Sequence, residues 1–373
     1  MNILHVTTVH PRKDTRIFYR ECQSLQKAGF DVTLLVSDGM GDEIDGQIKI
    51  VDLGRDRSRI RNFRKSYRKI VSTVRRLKPK LVHFHDPELI FVGSRISKMG
   101  IPVVFDIHEN VAAQILNKPY IYSFLRKPIS ELYKIVENCF VRNLHMIIAE
   151  HSYRNVYEKR GLSLTTVLNM PELNHFRSFV NTNRMGADIF YIGGVSDERG
   201  LHVTISALKI LKKRGFDFFM HYIGPITDDR ISSLDLEDIN KNIRFYGRMD
   251  SKNGFEISKR CIAGLSVLKP IKNYIESYST KIFEYMAVGL PVITSNFQLY
   301  RDVVEKYNCG FCINPYSSEE LADSLEALIS NPKLVRTMGE NGIDAVKSRY
   351  NWSSEESKLI DVYYKALNLK KSS

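Results

Sequence analysis

Two glutamates with seven residues between them stand in a segment whose residue types suit a ligand carrying both phosphate and hydroxyl groups. Glu276 precedes a predicted helix over residues 280–288, and Glu284 lies a full turn inside it. The free N–H groups and dipole of a helix N-terminus favour an anion above residues 279–281, where Lys281 adds a point charge. Glu284 can then accept hydrogen bonds from sugar hydroxyls. This combination is typical of a nucleotide or nucleotide-sugar site; a pair of solvated surface glutamates is the alternative.

The elements that must position this segment are two strands and the helix between them. Apolar runs of strand length precede and follow it, at residues 263–268 and 291–295. Ser279 or Thr280 can cap the helix, and Gly289 ends it. A strand–loop–helix–strand unit places the loop and helix N-terminus at the carboxyl edge of a parallel sheet, where α/β proteins bind ligands.

A second candidate phosphate site is a glycine pair. Gly193 and Gly194 directly follow a predicted strand over residues 189–192 and precede a predicted helix over 201–213. Glycines in such a loop let the backbone approach a phosphate, and Arg199 near the helix start can neutralise its charge.

The length of 373 residues exceeds one ordinary core, so we expect two domains. Residues 169–186 are polar and lack a clear period, and strand–helix alternation restarts after them. We therefore place two Rossmann-like domains at residues 1–175 and 187–352.

Two clusters of acidic residues and histidine follow predicted strands of the N-terminal half. His85-Asp86-Pro87-Glu88 follows residues 81–84, and Asp106-Ile107-His108-Glu109 follows residues 102–105. Neither cluster has the HExxH spacing of a zinc helix. We expect hydrogen-bonding or acid/base roles at the sheet edge; structural histidines with satisfied partners are the alternative.

The loop after the first strand, residues 9–14, lacks a GxGxxG pattern and leads into a predicted amphipathic helix over residues 14–28. Its cations Arg12, Lys13 and Arg16 either meet a phosphate or form a solvated basic loop.

The net charge of +13 is uneven along the chain. Residues 1–186 hold 30 Lys and Arg against 18 Asp and Glu, whereas residues 187–373 hold 25 against 24. The N-terminal half is therefore expected to face an anionic partner.

The basic bias peaks in residues 55–80, where twelve of 26 residues are Lys or Arg. Apolar residues at helical spacing predict an amphipathic helix over residues 58–77, whose basic face we expect to rest on an anionic membrane surface. A solvated face is the alternative. We expect no nucleic-acid partner, because the segment lacks a recognisable nucleic-acid module. Residues 117–143 mix aromatic and basic residues, which fits a membrane-facing rim or ordinary packing equally well.

The start of the chain lacks the basic and apolar regions of a signal peptide, and no apolar run approaches the roughly 18 to 20 residues of a membrane span. Five scattered cysteines include Cys309 and Cys312 at CxxC spacing, without the second pair of a zinc site. Reduced cysteines in a cytoplasmic protein are the expectation.

These motifs together resemble the family-4 retaining glycosyltransferases over nearly the whole chain. The glutamate pair with EYMAVGLPVITSN at 284–296 resembles the glutamate motif of that family. Asp14-Thr15-Arg16 resembles the start of such enzymes. FDIHEN at 105–110 resembles a strand end with a site histidine, and ERG at 198–200 resembles a phosphate-binding segment.

The resemblance implies a GT-B fold: two Rossmann-like α/β domains that face across a cleft, with a C-terminal helix at 353–373 crossing back to the N-domain. It assigns Glu284 to the donor ribose, Glu276 to the transferred sugar and His108 to the sugar and acceptor. The remaining implied site residues surround the diphosphate: Arg199, Lys281, Gly193, Gly194, Ser279 and Thr280.

The resemblance also implies a reaction and its partners. The donor would be a nucleotide-sugar, most simply UDP- or GDP-linked, with no resident cofactor and no metal. The acceptor would be a lipid-linked glycan of cell-surface polysaccharide or O-antigen synthesis, at the inner face of the cell membrane. A phosphorylase of the same fold, or a non-catalytic membrane or nucleic-acid module, is the alternative.

The chain departs from the family at two points. A glycine-rich EGFGL-like run is replaced by Glu276-Ser277-Tyr278-Ser279-Thr280, so contacts to the sugar must differ. Gly194 also stands where many relatives carry an arginine, which leaves more of the phosphate charge to Arg199.

Overall fold

The chain folds into two compact units. The computed structural model describes residues 1–56, 59–107, 111–117, 121–162, 164–228, 236 and 238–369. One unit comprises Met1–Asn169 together with Ser353–Ser373, and the other comprises Met170–Trp352. Residues 170–175, which the sequence assigns to the first domain, and the polar segment that continues to residue 186 are part of the second unit.

The first unit is built on an eight-stranded sheet of order β3-β4-β2-β1-β5-β6-β7-β8. Its strands are β1 (Asn2–Val6), β2 (Asp31–Val36), β3 (Glu43–Asp45), β4 (Ile48–Asp52), β5 (Leu81–Phe84), β6 (Val103–Ile107), β7 (His145–Ile148) and β8 (Leu164–Thr166). Seven strands run parallel, and only β3 is antiparallel to its neighbour β4. The strand order reverses between β1 and β5, which is where such sheets open a crevice at their carboxyl ends.

The helices of this unit connect and cover the strands. They are a π-helix at Ile17–Cys22 continuing as α1 (Gln23–Lys27), α2 (Arg59–Leu77), a 3-10 turn at Pro87–Leu89, α3 (Ile90–Ser97), α4 (Val111–Asn117), α5 (Ser123–Val141) and α6 (His151–Glu158). The C-terminal helix α15 (Trp352–Ala366) completes the unit through the side chain of Tyr363, which is buried against β1 and β5.

The second unit has a fully parallel six-stranded sheet of order β11-β10-β9-β12-β13-β14. Its strands are β9 (Asp188–Ile192), β10 (Phe219–Ile223), β11 (Ile243–Phe245), β12 (Cys261–Ser266), β13 (Val292–Ser295) and β14 (Gly310–Ile313). The strand order reverses between β9 and β12.

Helices alternate with these strands, as parallel connections require. They are α7 (Leu173–Phe176) with a 3-10 turn at Arg177–Phe179, a 3-10 turn at Asp197–Arg199, α8 (Leu201–Lys213), a 3-10 turn at Asn240–Asn242, α9 (Ser251–Ser258), α10 (Lys272–Ile275), α11 (Thr280–Ala287), α12 (Gln298–Val304), α13 (Ser318–Ser330) and α14 (Pro332–Ser348).

Burial explains why the central strands are nearly continuous in apolar residues. Helices cover both faces of a parallel sheet, so both rows of side chains leave water. In the second unit Ile189, Tyr191, Leu265 and Ile293 lie in one cluster with α8 and α13.

Two sequence expectations need correction. The predicted continuous helix over residues 14–28 begins at Ile17 as a π-helix and ends at Lys27. The strands β3, β4 and β14 were not predicted; β3 (Glu43–Asp45), for example, has three residues with one apolar side chain, too few to show a period.

Among the helices of the described residues, none is both long and apolar enough to cross a bilayer.

Candidate active site

A glycine turn opens the candidate site of the second unit at the carboxyl end of β9. The amide of Gly193 donates to Ile223 O at 2.8 Å, and the Tyr191 hydroxyl donates to Gly194 O at 2.6 Å. Gly193 has φ of +134°, a region that residues with a side chain rarely adopt. A β-carbon on Gly224 would lie 2.0 Å from Gly193 O. The loop therefore holds its shape only with glycine at both positions.

Two cations reach the same side of this turn. A β-carbon built on Gly193 would lie 3.5 Å from Lys281 Nζ and 3.6 Å from Arg199 Nη1. Burial lowers the pKa of Lys281 to about 8; the nearby Arg199 charge contributes to this lowering, and Glu284 opposes it. Like charges held together out of water favour an anion between them. The structure thus brings together Gly193, Gly194, Arg199 and Lys281, which the sequence had suggested from separate motifs.

Arg199 is positioned by a tight turn and two phenols. The 3-10 turn at Asp197–Arg199 ends at Gly200, whose φ is +83° and whose β-carbon would lie 2.3 Å from Val267 O. The guanidinium interacts with the side chains of Tyr191 and Tyr274. Neither tyrosine was a candidate from the sequence, because a lone aromatic residue carries no spacing signal.

The N-terminus of α11 faces the same sheet edge. Ser279 is the N-cap residue, but its hydroxyl lies 2.9 Å from that of Ser266 and does not cap the helix amides. Ile282 and Phe283 pack into the core, while Glu284 is half-buried one turn along. The helix expected from the sequence is therefore present, whereas its expected side-chain cap is not.

Glu276 lies in the exposed connection between α10 and α11. The fully buried Tyr300 of α12 holds this connection: its hydroxyl lies 3.0 Å from Tyr274 O and 3.1 Å from Ser277 O, on either side of Glu276. Tyr300 is a positioning residue that the sequence did not single out.

A cavity of about 510 Å³ adjoins the turn, and its lining contains polar side chains that the sequence had not suggested. The lining residues are Gly194, Ser196, Glu198, Arg199, Thr227, Asp228 and Tyr274. Hydroxyl, carboxylate and guanidinium groups around one space can bind both the phosphate and the hydroxyl groups of a ligand.

The first unit places a second polar group at the switch between β1 and β5. Arg16 makes a bidentate contact with Asp106, with Nε–Oδ2 at 2.9 Å and Nη2–Oδ1 at 3.2 Å. Glu21 lies 2.9 Å from the same Arg16 Nε, and burial raises the pKa of Glu21 well above its usual value. The guanidinium of Arg16 is buried between the carboxyl groups of Asp106 and Glu21. Arg16 is therefore neither a phosphate ligand nor a solvated cation, the two roles that the sequence had suggested.

The structure also corrects the expectation that Arg12 and Lys13 meet a phosphate or lie in a solvated loop. Arg12 donates to Asp38 at 2.7 and 2.8 Å and to Glu43 at 2.9 Å. Lys13 is 2.8 Å from Glu43 and also contacts Asp45. Both cations fasten the loop to β3 and the segment before it, because the acidic residues there are close enough to neutralise them.

Three histidines and a tyrosine form a buried chain beside Arg16. Tyr363 Oη lies 2.6 Å from His83 Nδ1 and 2.9 Å from His5 Nε2, and His5 Nδ1 lies 3.0 Å from His85 Nε2. Burial lowers the pKa of His5 and of His83 well below the usual value, so both rings are neutral. The structural role offered as an alternative for His85 fits this geometry.

Four side chains of this chain offer possible metal-ligand atoms within 4.8 Å of one another: His5, Glu21, His83 and His85. Both ring nitrogens of His5 are already engaged, and Arg16 presents a positive charge at Glu21. A divalent cation would displace a hydrogen bond and meet this guanidinium, so the group suits a hydrogen-bonded network better than a metal.

Asp86, at the end of β5, fixes the loop after β1. Its carboxylate accepts from the Thr7 hydroxyl at 3.0 Å, from the Thr8 hydroxyl at 2.9 Å and from the Thr8 amide. His108 and Glu109 lie outside the described residues, so the acceptor-side role implied for His108 remains a prediction.

Comparison with known proteins identifies the class. The family model described as "Glycosyl transferases group 1" matches residues 174–345. That described as "Glycosyltransferase Family 4" matches residues 15–153.

One curated relative is the phosphatidyl-myo-inositol mannosyltransferase of Mycobacterium leprae, 25% identical over 76% of this chain and 72% of the relative. Among solved structures, sucrose-phosphate synthase from Thermosynechococcus elongatus superposes with a TM-score of 0.74 at 16% identity, covering 98% and 99% of the two chains. HepE from Anabaena, solved with UDP-glucose, has a TM-score of 0.68 at 15% identity over 98% of this chain and 100% of its own.

The two family models match successive parts of the chain, and the structural neighbours share its paired parallel-sheet architecture. The chain belongs to the GT4-type glycosyltransferases of the GT-B fold.

Proposed function

We propose that this glycosyltransferase retains the anomeric configuration and moves a hexose-type sugar from a UDP- or GDP-sugar to a hydroxyl group of a lipid-linked glycan. The expected setting is cell-surface polysaccharide or O-antigen synthesis at the inner face of the cell membrane. The nucleotide-sugar is the substrate, and the proposal includes no resident cofactor and no divalent metal.

The observation that carries the proposal is the convergence of Lys281 and Arg199 on Gly193. When the bond between the sugar and the diphosphate breaks, negative charge develops on the leaving phosphate oxygens. Cations held in place beforehand stabilise that charge without reorganising during the reaction. The uncapped N-terminus of α11 adds its amide dipoles to the same end of the sheet.

The other site residues follow from this placement of the diphosphate. Glu284 lies one turn along α11, where its carboxylate can accept from the ribose hydroxyls. Glu276 stands in the exposed connection held by Tyr300, where it can face the transferred sugar. Ser279 and Thr280 supply backbone or hydroxyl donors. Because Gly194 lacks a side chain, Arg199 and Lys281 carry the cationic role alone in this proposal.

The acceptor is inferred from charge and from similarity. The N-terminal half of the sequence carries nearly all of the net positive charge. Helix α2 presents Arg64, Arg68 and Arg75 on its exposed side, which favours a partner with phosphate groups. The relative from M. leprae is named for a phosphatidylinositol acceptor, and we extend a lipid-linked acceptor to this chain.

A thermal-shift and calorimetry screen against UDP-, GDP- and ADP-sugars tests the donor, followed by transfer of the best donor to lipid-linked acceptors. We expect one nucleotide class to stabilise the protein, and nuclear magnetic resonance of the product to show a retained anomeric configuration. Absence of binding to all three classes, or an inverted product, would overturn the proposal.

A further inference from the structure

Helix α5 presents apolar side chains to solvent along its whole length. Phe124, Leu132 and Ile135 are 73%, 61% and 63% exposed. With Pro128 and Cys139, which are also exposed, they recur at intervals of three or four residues, so all five lie on one side of the helix. We call these five residues the α5 stripe. Tyr122, just before the helix, is 74% exposed and stacks on Phe124 with ring centroids 6.0 Å apart.

The opposite side of α5 faces the protein: Val141 is fully buried in the core, and two polar side chains are buried on the same side. Ser130 is buried and donates to Ala112 O of α4 at 2.7 Å. Glu137 is 3% exposed and accepts from the Tyr157 hydroxyl at 3.1 Å and from Arg160 Nη1 at 2.6 Å. A helix that only packs on a sheet turns its apolar side inward. The α5 stripe lies on the outer side instead and therefore calls for an apolar environment there.

Cationic side chains lie in the same helical layer. Helix α3 joins α2 to α5: Arg95 of α3 donates to the Tyr67 hydroxyl of α2 at 3.4 Å, and Phe91 of α3 packs edge-on against Phe140 of α5 at 4.7 Å. An open groove of about 660 Å³ between α2 and α3 is lined by four arginines: Arg64, Arg68, Arg75 and Arg95. Four positive charges in one groove favour binding to a surface that carries many anions.

We propose that α5 is a membrane-docking helix that lies in the plane of an anionic bilayer, with the α5 stripe among the acyl chains and the arginine groove against lipid phosphates. This deepens the proposed function, on which it rests for the membrane location, and adds an apolar contact through α5 to the basic contact expected of α2. An interfacial helix of this kind buries its apolar face to a depth of about 5–10 Å.

The positive charge near α5 favours a lipid bilayer over a second copy of the chain as the partner that covers this surface. A symmetric dimer through α5 would bring two arginine grooves towards each other and would leave their charge uncompensated. Anionic lipid supplies apolar chains and phosphates in one surface, which matches both halves of this layer.

Cys139 provides a reporter inside the α5 stripe. Cys22, Cys261 and Cys309 are buried, so a polarity-sensitive fluorophore on the otherwise intact Cys312→Ser protein labels Cys139 selectively. On mixing with vesicles of phosphatidylcholine and phosphatidylglycerol we expect a blue shift, and quenching by lipids brominated on their acyl chains. A spectrum unchanged from that in water would overturn the proposal.

The triple variant Phe124→Ser, Leu132→Ser and Ile135→Ser removes the apolar contact without changing net charge. We expect its partition onto the same vesicles to fall by at least about tenfold, whereas Met40→Ser with Met185→Ser, two side chains that are 72% and 76% exposed elsewhere, leaves it unchanged. Equal partition of the triple variant and wild type contradicts the proposal. So does light scattering that finds a lipid-free wild-type dimer and a monomeric triple variant, since the stripe would then bind a second copy.

Donor calorimetry on the same variants separates this inference from the proposed function. If the protein binds the donor but the label on Cys139 stays in water, only the proposal of a docking helix is refuted. Vesicle insertion without binding of any nucleotide-sugar defeats only the assigned transfer reaction.

Discussion

Lys281 and Arg199 approach one glycine from the same side, with Nζ and Nη1 at 3.5 and 3.6 Å from the position of a β-carbon on Gly193. Burial, together with the nearby charge of Arg199, lowers the pKa of Lys281 to about 8. An anion bound between the two cations would restore the lysine charge. The arrangement thus links diphosphate binding to protonation of Lys281.

Donor affinity should consequently fall as pH rises above about 8. In the free protein Lys281 loses its proton there, and binding the diphosphate must then take up as much as one proton between about pH 8 and 10. Calorimetry in buffers of different ionisation enthalpy measures this uptake. Lys281→Met should bind the donor weakly at every pH and abolish the uptake. An unchanged uptake in that variant would refute the link.

The lowered pKa of Lys281 also predicts how the stability of the protein changes with pH. The pKa of this lysine is lower in the folded chain than the usual 10.5, so the unfolded chain binds more protons between about pH 8 and 10.5. The free energy of unfolding therefore increases as the pH rises through this window, and this contribution is absent at pH values below it. Denaturant titrations should show a smaller increase in Lys281→Met than in wild type.

Glu284→Ala should weaken donor binding by at least about tenfold, because a carboxylate that accepts from hydroxyl groups contributes roughly 1.5–3 kcal/mol. Glu340→Ala is the matched control: it removes an exposed helix glutamate, paired with Arg336, from the same unit. Calorimetry that returns equal donor affinity for Glu284→Ala and wild type would remove Glu284 from the nucleotide site.

Transfer activity should survive EDTA, because Lys281 and Arg199 supply the positive charge that the leaving diphosphate requires. The measurement is the initial rate after dialysis against chelator, with and without added Mg²⁺ or Mn²⁺. Loss of activity that a divalent ion restores would contradict a metal-independent reaction.

Tyr300→Phe tests the connection that carries Glu276. Loss of the hydroxyl leaves Tyr274 O and Ser277 O without this donor, which should cost about 1 kcal/mol of unfolding free energy. If the hydroxyl positions Glu276, kcat should fall severalfold while the donor Kd stays near the wild-type value. A change in stability alone would leave Tyr300 with a purely structural role.

Tyr363→Phe should destabilise the first unit by roughly 1–3 kcal/mol, because two buried histidine nitrogens then lose a shared partner. The proposed donor site lies in the second unit, so donor binding should be unchanged. Denaturant unfolding combined with donor calorimetry tests both halves of the prediction, and Tyr364→Phe, the next residue of α15, is the control.

Local patterns were sufficient for much of the fold. Helix α11 ends next to Gly289 as predicted, and the glycine pair follows β9, because helix endings and strand-to-helix turns depend on nearby residues. The two-domain α/β architecture also followed, since strands alternating with helices can pair only as parallel sheets with crossovers.

The contacts that the sequence did not predict join residues that lie far apart in the chain. Arg12 and Lys13 were expected to meet phosphate or water, because the sequence does not reveal that β3 and the segment before it bring Asp38, Glu43 and Asp45 against them. Tyr300 and Tyr274 were missed for the same reason. Their roles arise from contacts across the fold, which leave no local period or motif.

The buried contact of Tyr363 with His5 spans 358 positions of the chain, and this has a consequence for folding. The first unit is built from residues before and after the second unit, whereas Met170–Trp352 is contiguous. The first unit therefore cannot complete its core until α15 is available, whereas the second unit needs no segment outside its own span. A chain cut after residue 352 would therefore contain every residue of the second unit but would lack the buried Tyr363 of the first unit.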